Sequence, residues 1–499
     1  MARKLTAALA AAMTLVGIAV PAAHADGDGH VVRTDKGVLS GTVTGTYRTF
    51  GNIPFAAAPV GENRWRDPQP VTPWQGVRDA TKPAPMCAQN ADLGQPAGSE
   101  TEDCLHLNVT TPAGQARKPR PVMVWIHGGS FTSGSGSMYD ARAFATKNDV
   151  VVVTINYRLG VFGYFGYPGL RGSGAFGIAD QQAALKWVQR NARAFGGDAR
   201  NVTIFGESAG GLSVCAQLAS PRAGGLFAKA IIQSGPCGVD APSFAKPGEF
   251  VHLWKPRAEV EKQGVGTAGC ADIACLRAQP VSKLLTVHAQ FSSPAYDTAV
   301  LPIDPVVAQK TGRMHHVPTL VGSTHDEMTL FVPMIYPRPV PESSYQEQLV
   351  ALFGEHADEV AAEYPVNGNG DARDEIARTL TDKSWSCTSQ TTRDELGRHA
   401  RVSGYEFADR NVPVFFPGMP PFPGGYGAFH ASELPLLFDF GVPLTPGQRE
   451  LSDYMIAAWG RFARTGDPGW RADVQSLAAG AIGPADFVKD HKCGFWGQL

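Results

Sequence analysis

The stretch Val202-Thr203-Ile204-Phe205-Gly206-Glu207-Ser208-Ala209-Gly210 governs the interpretation of the whole chain. An apolar run typical of a buried strand leads directly into the pattern G-x-S-x-G. This pattern puts a serine on a sharp turn between a strand and a helix, where its hydroxyl projects from the top of a sheet. The pattern is short enough to occur by chance, so its meaning depends on what surrounds it.

Further short apolar runs predict a sheet whose strands are buried on both faces. They lie at residues 122–126, 150–155, 202–205, 230–232 and 317–321. Helical periodicity at residues 180–194, 208–219 and 448–464 separates or follows them, and β-rich runs at 31–46 predict an N-terminal hairpin region. This alternation predicts an α/β fold with a large, mostly parallel central sheet flanked by helices. No linker or repeat divides the chain, which favours a single domain.

A serine hydroxyl is a weak nucleophile, so it needs a histidine base, an acid that orients the histidine, and amide donors for an oxyanion. Candidate donors follow the run at 122–126 in His127-Gly128-Gly129-Ser130-Phe131. Small residues at the end of a strand can turn their N–H groups toward a bound carbonyl oxygen.

When the serine lies on a strand-to-helix turn of this kind, the acid is expected after it in the sequence, and the histidine after the acid. Glu327 is the first acid candidate because it closely follows the run at 317–321, and Asp326 is its immediate competitor. His430 lies in a glycine-rich loop suited to a catalytic imidazole. The other late histidines fit less well: His356 and His399 lie in charged, surface-type stretches, and His491 is close to the C-terminus.

Charge and targeting signals restrict the classes of partner. The net charge of the 499 residues is −2, and the sequence contains no basic patch. Neither nucleic acid nor a membrane surface is therefore expected as a partner. Arg3 and Lys4 precede a short apolar run, and Ala23-His24-Ala25 fits a cleavage site. We therefore expect residues 1–25 to be a secretion signal that is removed. The mature, secreted chain would then comprise residues 26–499 and contain no integral membrane segment.

The eight cysteines all lie in this mature portion, and an oxidising compartment makes disulfides the expected state. No pair has the C-x-x-C spacing of a zinc site. We therefore expect no metal and no cofactor.

Ordered motifs along essentially the whole mature chain resemble type-B carboxylesterases, a family with the α/β-hydrolase fold. The motifs that carry the resemblance are Gly51-Asn52-Ile53-Pro54-Phe55-Ala56, Glu102-Asp103-Cys104-Leu105, Val124-Trp125-Ile126-His127-Gly128-Gly129, Asn156-Tyr157-Arg158-Leu159-Gly160, Gly206 to Gly210 and Gln233-Ser234-Gly235. The resemblance implies a single catalytic domain at residues 26–499.

The resemblance also implies a role for each candidate residue. Ser208 would be the nucleophile, His430 the general base and acid, and Glu327 rather than Asp326 the acid of the triad. The oxyanion-hole amides would be those of Gly129, Ser130 and Ala209, with Ser130 standing where the family often has glycine or alanine. Ser234 would be a supporting serine near the triad, and Glu207, beside the nucleophile, would support local hydrogen bonding.

Disulfides and ion pairs of the scaffold are implied in the same way. The expected disulfides are Cys87–Cys104, Cys270–Cys275 and Cys387–Cys493, which leaves Cys215 and Cys237 for each other. The expected ion pairs are Arg64–Glu102 and Arg158–Asp180.

The resulting hypothesis is a secreted, cofactor-free serine esterase that acts on small-molecule carboxylic esters through an acyl-enzyme. Two alternatives remain: a lipase acting on long-chain lipid esters, with 87–104 and 331–345 as lid segments, and a non-catalytic binding or adhesion protein on the same fold. Choline esters are not expected as substrates, because the segment from Cys87 to Cys104 has no aromatic residue to hold a quaternary ammonium.

Overall fold

An eleven-stranded sheet forms the centre of the computed structural model, which describes residues 29–92, 97–114, 116–242 and 248–499. The predicted secretion signal at 1–25 lies outside the described residues. The strands of this sheet and of three smaller sheets are β1 (Val31–Arg33), β2 (Val38–Ser40), β3 (Thr42–Val43), β4 (Tyr47–Pro54), β5 (Val77–Asp79), β6 (His106–Pro112), β7 (Arg120–Ile126), β8 (Val151–Ile155), β9 (Gly197–Glu207), β10 (Lys229–Gln233), β11 (Asp240–Pro242), β12 (Phe250–His252), β13 (Lys255–Pro256), β14 (Ala295–Tyr296), β15 (Thr319–Thr324), β16 (Val402–Phe407), β17 (Val474–Leu477) and β18 (Gly483–Pro484).

Helices follow most strands of the large sheet. Within the described ranges they are α1 (Arg142–Asn148), α2 (Gly160–Tyr164), α3 (Phe176–Asn191), α4 (Ala209–Ala219), α5 (Arg257–Gly264), α6 (Ile273–Ala278), α7 (Val281–Leu285), α8 (Pro305–Lys310), α9 (Val332–Ile335), α10 (Tyr345–Phe353), α11 (Ala357–Glu363), α12 (Arg373–Leu380), α13 (Cys387–Gly397), α14 (Leu434–Leu437), α15 (Pro446–Thr465), α16 (Phe487–Asp490) and α17 (Cys493–Trp496).

The strand order of the large sheet is β18-β17-β16-β15-β10-β9-β7-β8-β6-β4-β3. Every pairing from β17 across to β8 is parallel, while the pairings outside this block are antiparallel. Parallel strands end at the same edge, so the carboxyl ends of β7, β9 and β15 meet in one region. The predicted α/β fold class is confirmed.

The hydrophobic core lies on both faces of this sheet. Along β7, Val122, Val124 and Ile126 pack into one cluster of buried residues. The residues between them, Met123 and Trp125, pack into a second cluster on the other face. Successive side chains of a strand point to opposite faces, and burial on both sides explains why the run is apolar without interruption.

Several predicted boundaries were wrong by a few residues. Strand β15 starts at Thr319 and not at residue 317, because Pro318 has no N–H group to donate to a neighbouring strand. Helix α3 starts at Phe176 and not at residue 180, so Asp180 lies inside the helix with its carboxylate bonded to Arg158.

The four disulfides in the described residues are Cys87–Cys104, Cys215–Cys237, Cys270–Cys275 and Cys387–Cys493. Two buried ion pairs tie loops to the scaffold: Arg64 to Glu102, with a nitrogen–oxygen distance of 2.5 Å, and Arg158 to Asp180 at 2.7 Å. In the described part of the chain, no helix has both the length and the apolar character needed to cross a membrane.

Candidate active site

Ser208 occupies the turn between strand β9 and helix α4. Its backbone has φ 57° and ψ −124°, a strained conformation for a residue with a side chain. A Cβ atom at Gly210 would lie 2.0 Å from the carbonyl oxygen of Ile126, and one at Gly206 would lie 2.5 Å from the carbonyl oxygen of Gly210. The glycines of the G-x-S-x-G pattern are therefore needed for the strand and the helix to approach each other this closely.

The loop after β7 has a similarly unusual backbone. Gly129 has φ 97° and Ser130 has φ 53°, and the amides of Thr132 and Ser133 both donate to the Gly129 carbonyl oxygen at 2.9 Å. A Cβ atom at Gly129 would lie 2.2 Å from the carbonyl oxygen of Ser133. This tight turn holds Gly129 and Ser130 on the wall of the cavity that Ser208 lines, while Ala209 is the first residue of α4.

Glu327 and His430 are in direct contact. His430 Nδ1 lies 2.5 Å from Glu327 Oε2, and both residues are buried. The second carboxylate oxygen of Glu327 accepts a hydrogen bond from the Thr324 amide at 2.9 Å, which fixes the carboxylate at the end of β15. The pair has the geometry of a carboxylate that orients an imidazole.

Asp326 points elsewhere. Its Oδ1 accepts a hydrogen bond from Arg410 at 2.6 Å and lies 3.0 Å from His325 Nδ1, while its Oδ2 accepts one from the Ala428 amide at 2.9 Å. Asp326 therefore supports the loop that leads to His430, whereas Glu327 contacts the imidazole itself.

The other nitrogen of His430, Nε2, is buried without a hydrogen-bond partner among the described residues. It lies 3.1 Å from Glu207 Oε1, but the two atoms do not have hydrogen-bond geometry. The imidazole packs against the rings of Phe331 and Trp385, each at a centroid distance of 4.8 Å. An imidazole held in this way has one nitrogen available for proton transfer to a group in the cavity.

Buried carboxylates surround this imidazole and change its acidity. Burial by itself lowers the pKa of His430, but the charges of Glu207, Glu327 and Glu433 outweigh it and raise the pKa to about 9. Burial raises the pKa of Glu207 to about 8 and that of Glu433 to about 7. These carboxylates therefore favour the protonated, positively charged form of His430 over the neutral form.

Three further residues of the site, Gln233, Glu433 and Trp459, are given no role by the sequence. Gln233 accepts a hydrogen bond from the Ser208 amide at 2.9 Å through its backbone, and its side chain donates to Glu433 Oε1 at 3.2 Å. Trp459 Nε1 donates to the side-chain oxygen of Gln233 at 3.1 Å. Gln233 lies within a motif already noted, but nothing in the local sequence around Glu433 indicates that it is buried beside the histidine.

Ser234 is fully buried at the end of β10, directly behind the serine turn. Its backbone has φ 44°, and its amide donates to the Gly322 carbonyl oxygen at 2.8 Å. Its hydroxyl oxygen has no hydrogen-bond partner within the described residues. Gly235, the residue after Ser234, packs closely against the serine turn, since a Cβ atom at Gly235 would lie 2.4 Å from the Ser208 carbonyl oxygen.

Ser208 and His430 line one cavity of about 420 Å³ together with Gly128, Gly129 and Ser130. The rest of its wall is largely apolar and aromatic. Among the residues that form it are Leu330, Phe331, Met334, Phe415, Phe416 and Phe440. A concave, mostly apolar cavity with a few convergent polar groups suits a small molecule with one polar reacting centre.

Comparisons with known proteins agree over nearly the whole chain. The model of the carboxylesterase family matches residues 28–477. The para-nitrobenzyl esterase of Bacillus subtilis is 35% identical over 465 residues, which cover 89% of this chain and 91% of that enzyme. The fumonisin B1 esterase of Sphingopyxis macrogoltabida is 34% identical over 499 residues, covering 92% and 87% of the two chains.

A solved structure of PNB esterase is similar in three dimensions. It superposes on this chain with a TM-score of 0.76 at 30% sequence identity, and the match covers 93% of this chain and 99% of that one. The two proteins therefore share their fold over almost their full lengths.

Proposed function

Because the chain belongs to the carboxylesterase family, and is thus a carboxylic ester hydrolase of the α/β-hydrolase fold, we propose that it cleaves small-molecule esters through an acyl-enzyme on Ser208. The observation that carries this proposal is the state of His430. Its Nδ1 is held by Glu327, its Nε2 has no hydrogen-bond partner among the described residues, and His430 lines the same cavity as Ser208.

In the first half of the reaction His430 Nε2 takes the proton of Ser208 as the serine oxygen attacks the ester carbonyl. The new negative charge on the carbonyl oxygen is stabilised by the amides of Gly129, Ser130 and Ala209. Glu327 stabilises the imidazolium that forms. The imidazolium then gives its proton to the departing alcohol, and the acyl group stays on Ser208.

In the second half His430 takes a proton from a water molecule, which attacks the acyl carbonyl. The serine leaves with the proton and the carboxylic acid is released. Glu207, Glu433 and Ser234 do not react in this scheme. Glu207 and Glu433 act on His430 through their charge, and Ser234 supports the backbone behind Ser208.

The size and lining of the cavity favour esters with short or medium acyl chains over long-chain lipids. About 420 Å³ is at the small end of the usual range for ligand sites, and aromatic rings form much of the wall. Two relatives are named for para-nitrobenzyl and fumonisin B1 esters, and neither name refers to a lipid.

We also propose that the protein is secreted and that the mature chain begins at Asp26. The cleavage pattern before Asp26 and the four disulfides support this, because disulfides persist in oxidising compartments. N-terminal sequencing of protein from the culture medium tests it. Protein retained inside the cell with residues 1–25 still attached would contradict it.

The catalytic proposal is tested by the hydrolysis of para-nitrophenyl acetate by Ser208→Ala. We expect a loss of turnover on the order of 10⁶-fold, as for removal of a serine nucleophile elsewhere, with an unchanged circular dichroism spectrum. Ser213→Ala is the matched control, because Ser213 is a buried serine in the next turn of α4. The turnover of this variant should stay within a few-fold of wild type. Near-wild-type turnover of Ser208→Ala would contradict the proposal.

A further inference from the structure

A second group of polar residues lies behind the catalytic pair, on strand ends that the proposed reaction does not use. One nitrogen of His325, one nitrogen of His491 and a carboxylate oxygen of Glu406 all lie within 4.8 Å of one another. His325 follows β15, Glu406 is in β16 and His491 follows α16, so tertiary folding brings three distant positions together.

Each of the two histidines has a carboxylate on its Nδ1 atom. Asp382 Oδ1 lies 2.5 Å from Nδ1 of His491, and Asp326 Oδ1 lies 3.0 Å from Nδ1 of His325. Such contacts fix the orientation of an imidazole, and a proton on Nδ1 leaves Nε2 as the metal-binding nitrogen. Carboxylate contacts of this kind are typical of histidines that bind zinc.

The third residue of the group is already close to that nitrogen. Glu406 Oε1 lies 2.5 Å from His491 Nε2, and the side chains of Glu406 and His491 are 4% and 2% exposed. A proton now joins these two atoms. A divalent cation placed between the imidazoles and the carboxylate would take the place of this proton.

The local charge favours a cation. Three carboxylates, those of Asp326, Asp382 and Glu406, contact the two histidines. Asp374 and Asp490 line the neighbouring cavity as well. Against these five carboxylates stand three guanidinium groups of the described residues: that of Arg410, which donates to Asp326 and lies 3.2 Å from His325 Nδ1, that of Arg378, which lines the same cavity, and that of Arg393, whose charge interacts with Glu406. The Arg410 side chain is 58% exposed and points to the surface side of the group.

Two residues of the group, His325 and His491, border a cavity, whereas Glu406 is not part of its lining. This cavity of about 700 Å³ is lined by His325, Asp326, Asp382, Arg410 and His491. The catalytic cavity has a different lining, since none of these five residues contributes to it. An ion and a bound water could therefore enter this site without passing through the esterase cavity.

We propose that His325, Glu406 and His491 bind one divalent transition-metal ion, with Zn²⁺ as the preferred ion. Two imidazole nitrogens and one carboxylate oxygen are a donor set that zinc accepts, with water from the cavity as a fourth ligand. The expectation of no metal site came from cysteine spacing, which says nothing about histidines and glutamates that lie far apart in the sequence. This proposal does not depend on the esterase mechanism.

The ion would fasten the C-terminal segment to the centre of the fold. His491 lies two residues before Cys493, whose disulfide to Cys387 joins the same segment to α13. His325 lies two residues before Glu327, the residue in contact with His430. The bound ion would thus stabilise the protein and the strand end that holds the catalytic pair.

The test is a titration of the EDTA-treated, dialysed protein with Co²⁺, followed by its visible d–d absorption. We expect wild type to bind one Co²⁺ per chain and Zn²⁺ to displace it. His325→Gln should weaken binding at least tenfold; this side chain is 31% exposed, so the variant should remain folded. His399→Gln is the matched control, because exposed His399 stacks on His316 and offers the rival surface site.

Thermal unfolding gives a second readout. Zn²⁺ at 100 times its dissociation constant should raise the Tm of wild type and of His399→Gln but not that of His325→Gln, because a ligand that binds only the folded state stabilises it. The proposal is overturned if wild type binds no Co²⁺, if wild type and His325→Gln bind it equally, or if the loss occurs in His399→Gln instead.

Discussion

His430 Nδ1 lies 2.5 Å from Glu327 Oε2, and the neighbouring carboxylate of Asp326 turns away to Arg410 and the Ala428 amide. Adjacent carboxylates after one strand thus have separate tasks, one orienting the imidazole and one supporting its loop.

Glu327→Gln should lower kcat for para-nitrophenyl acetate by about 10³- to 10⁴-fold, because the amide cannot stabilise the imidazolium or hold the required tautomer. Asp326→Asn is the matched control one residue away, and its kcat should stay within about tenfold of wild type. Steady-state kinetics of both variants separate the two roles. Equal losses of kcat in the two variants, or a larger loss in Asp326→Asn, would show that Glu327 is not the acid of the triad.

Gly129→Ala should lower kcat by about 10²-fold or more, because a Cβ atom 2.2 Å from the Ser133 carbonyl oxygen would displace the Gly129 amide from its proposed place in the oxyanion hole. Ser130→Gly should stay within a few-fold of wild type, since only the backbone amide is used and glycine accepts φ 53° without strain. The comparison uses kcat of the two variants on one ester. If kcat falls as much in Ser130→Gly as in Gly129→Ala, the Ser130 hydroxyl and not its backbone amide contributes to catalysis.

The rate should rise with pH as His430 loses its proton, because only the neutral imidazole accepts the serine proton. The carboxylates raise the pKa of His430 to about 9. The rising limb of the profile of kcat/KM against pH should therefore have its midpoint above 6.5, the ordinary pKa of histidine. Glu207→Gln removes a charge that favours the imidazolium, and the limb should move to lower pH. Profiles of kcat/KM against pH measure this, with the exposed Glu62→Gln as control. A limb that stays in place or moves upward in Glu207→Gln would refute this role.

A series of para-nitrophenyl esters from acetate to palmitate should show the highest kcat/KM at short or medium acyl chains, without activation above the solubility limit. The reason is the cavity of about 420 Å³ with its aromatic wall. Phe331→Ala and Phe416→Ala should each shift the optimum toward longer chains. A wild-type maximum at long chains with activation at an oil–water surface would instead identify a lipase.

Much of this architecture could be predicted from local patterns. The run at 202–205, the glycines around Ser208 and the loop at 127–131 all depend on near neighbours in the sequence, and the strands and the turn are found where these patterns lie. Apolar runs without alternation correctly indicated a sheet covered on both faces.

The rest depends on contacts between distant residues. The residues alone left Glu327 and Asp326 as alternatives, because their order after β15 does not say which carboxylate meets His430. Glu433 went unnoticed because burial beside a histidine is a tertiary property. His491 was set aside as close to the C-terminus, yet it is buried between Asp382 and Glu406.

In the proposed reaction Ser208 is the residue that becomes acylated. The most direct measurement is to inactivate the protein with a fluorophosphonate, digest it and map the adduct by tandem mass spectrometry. We predict one adduct per chain on Ser208, in proportion to the activity lost, and no adduct in Ser208→Ala. Inactivation with the adduct on another residue, or full activity with Ser208 quantitatively modified, would contradict the account.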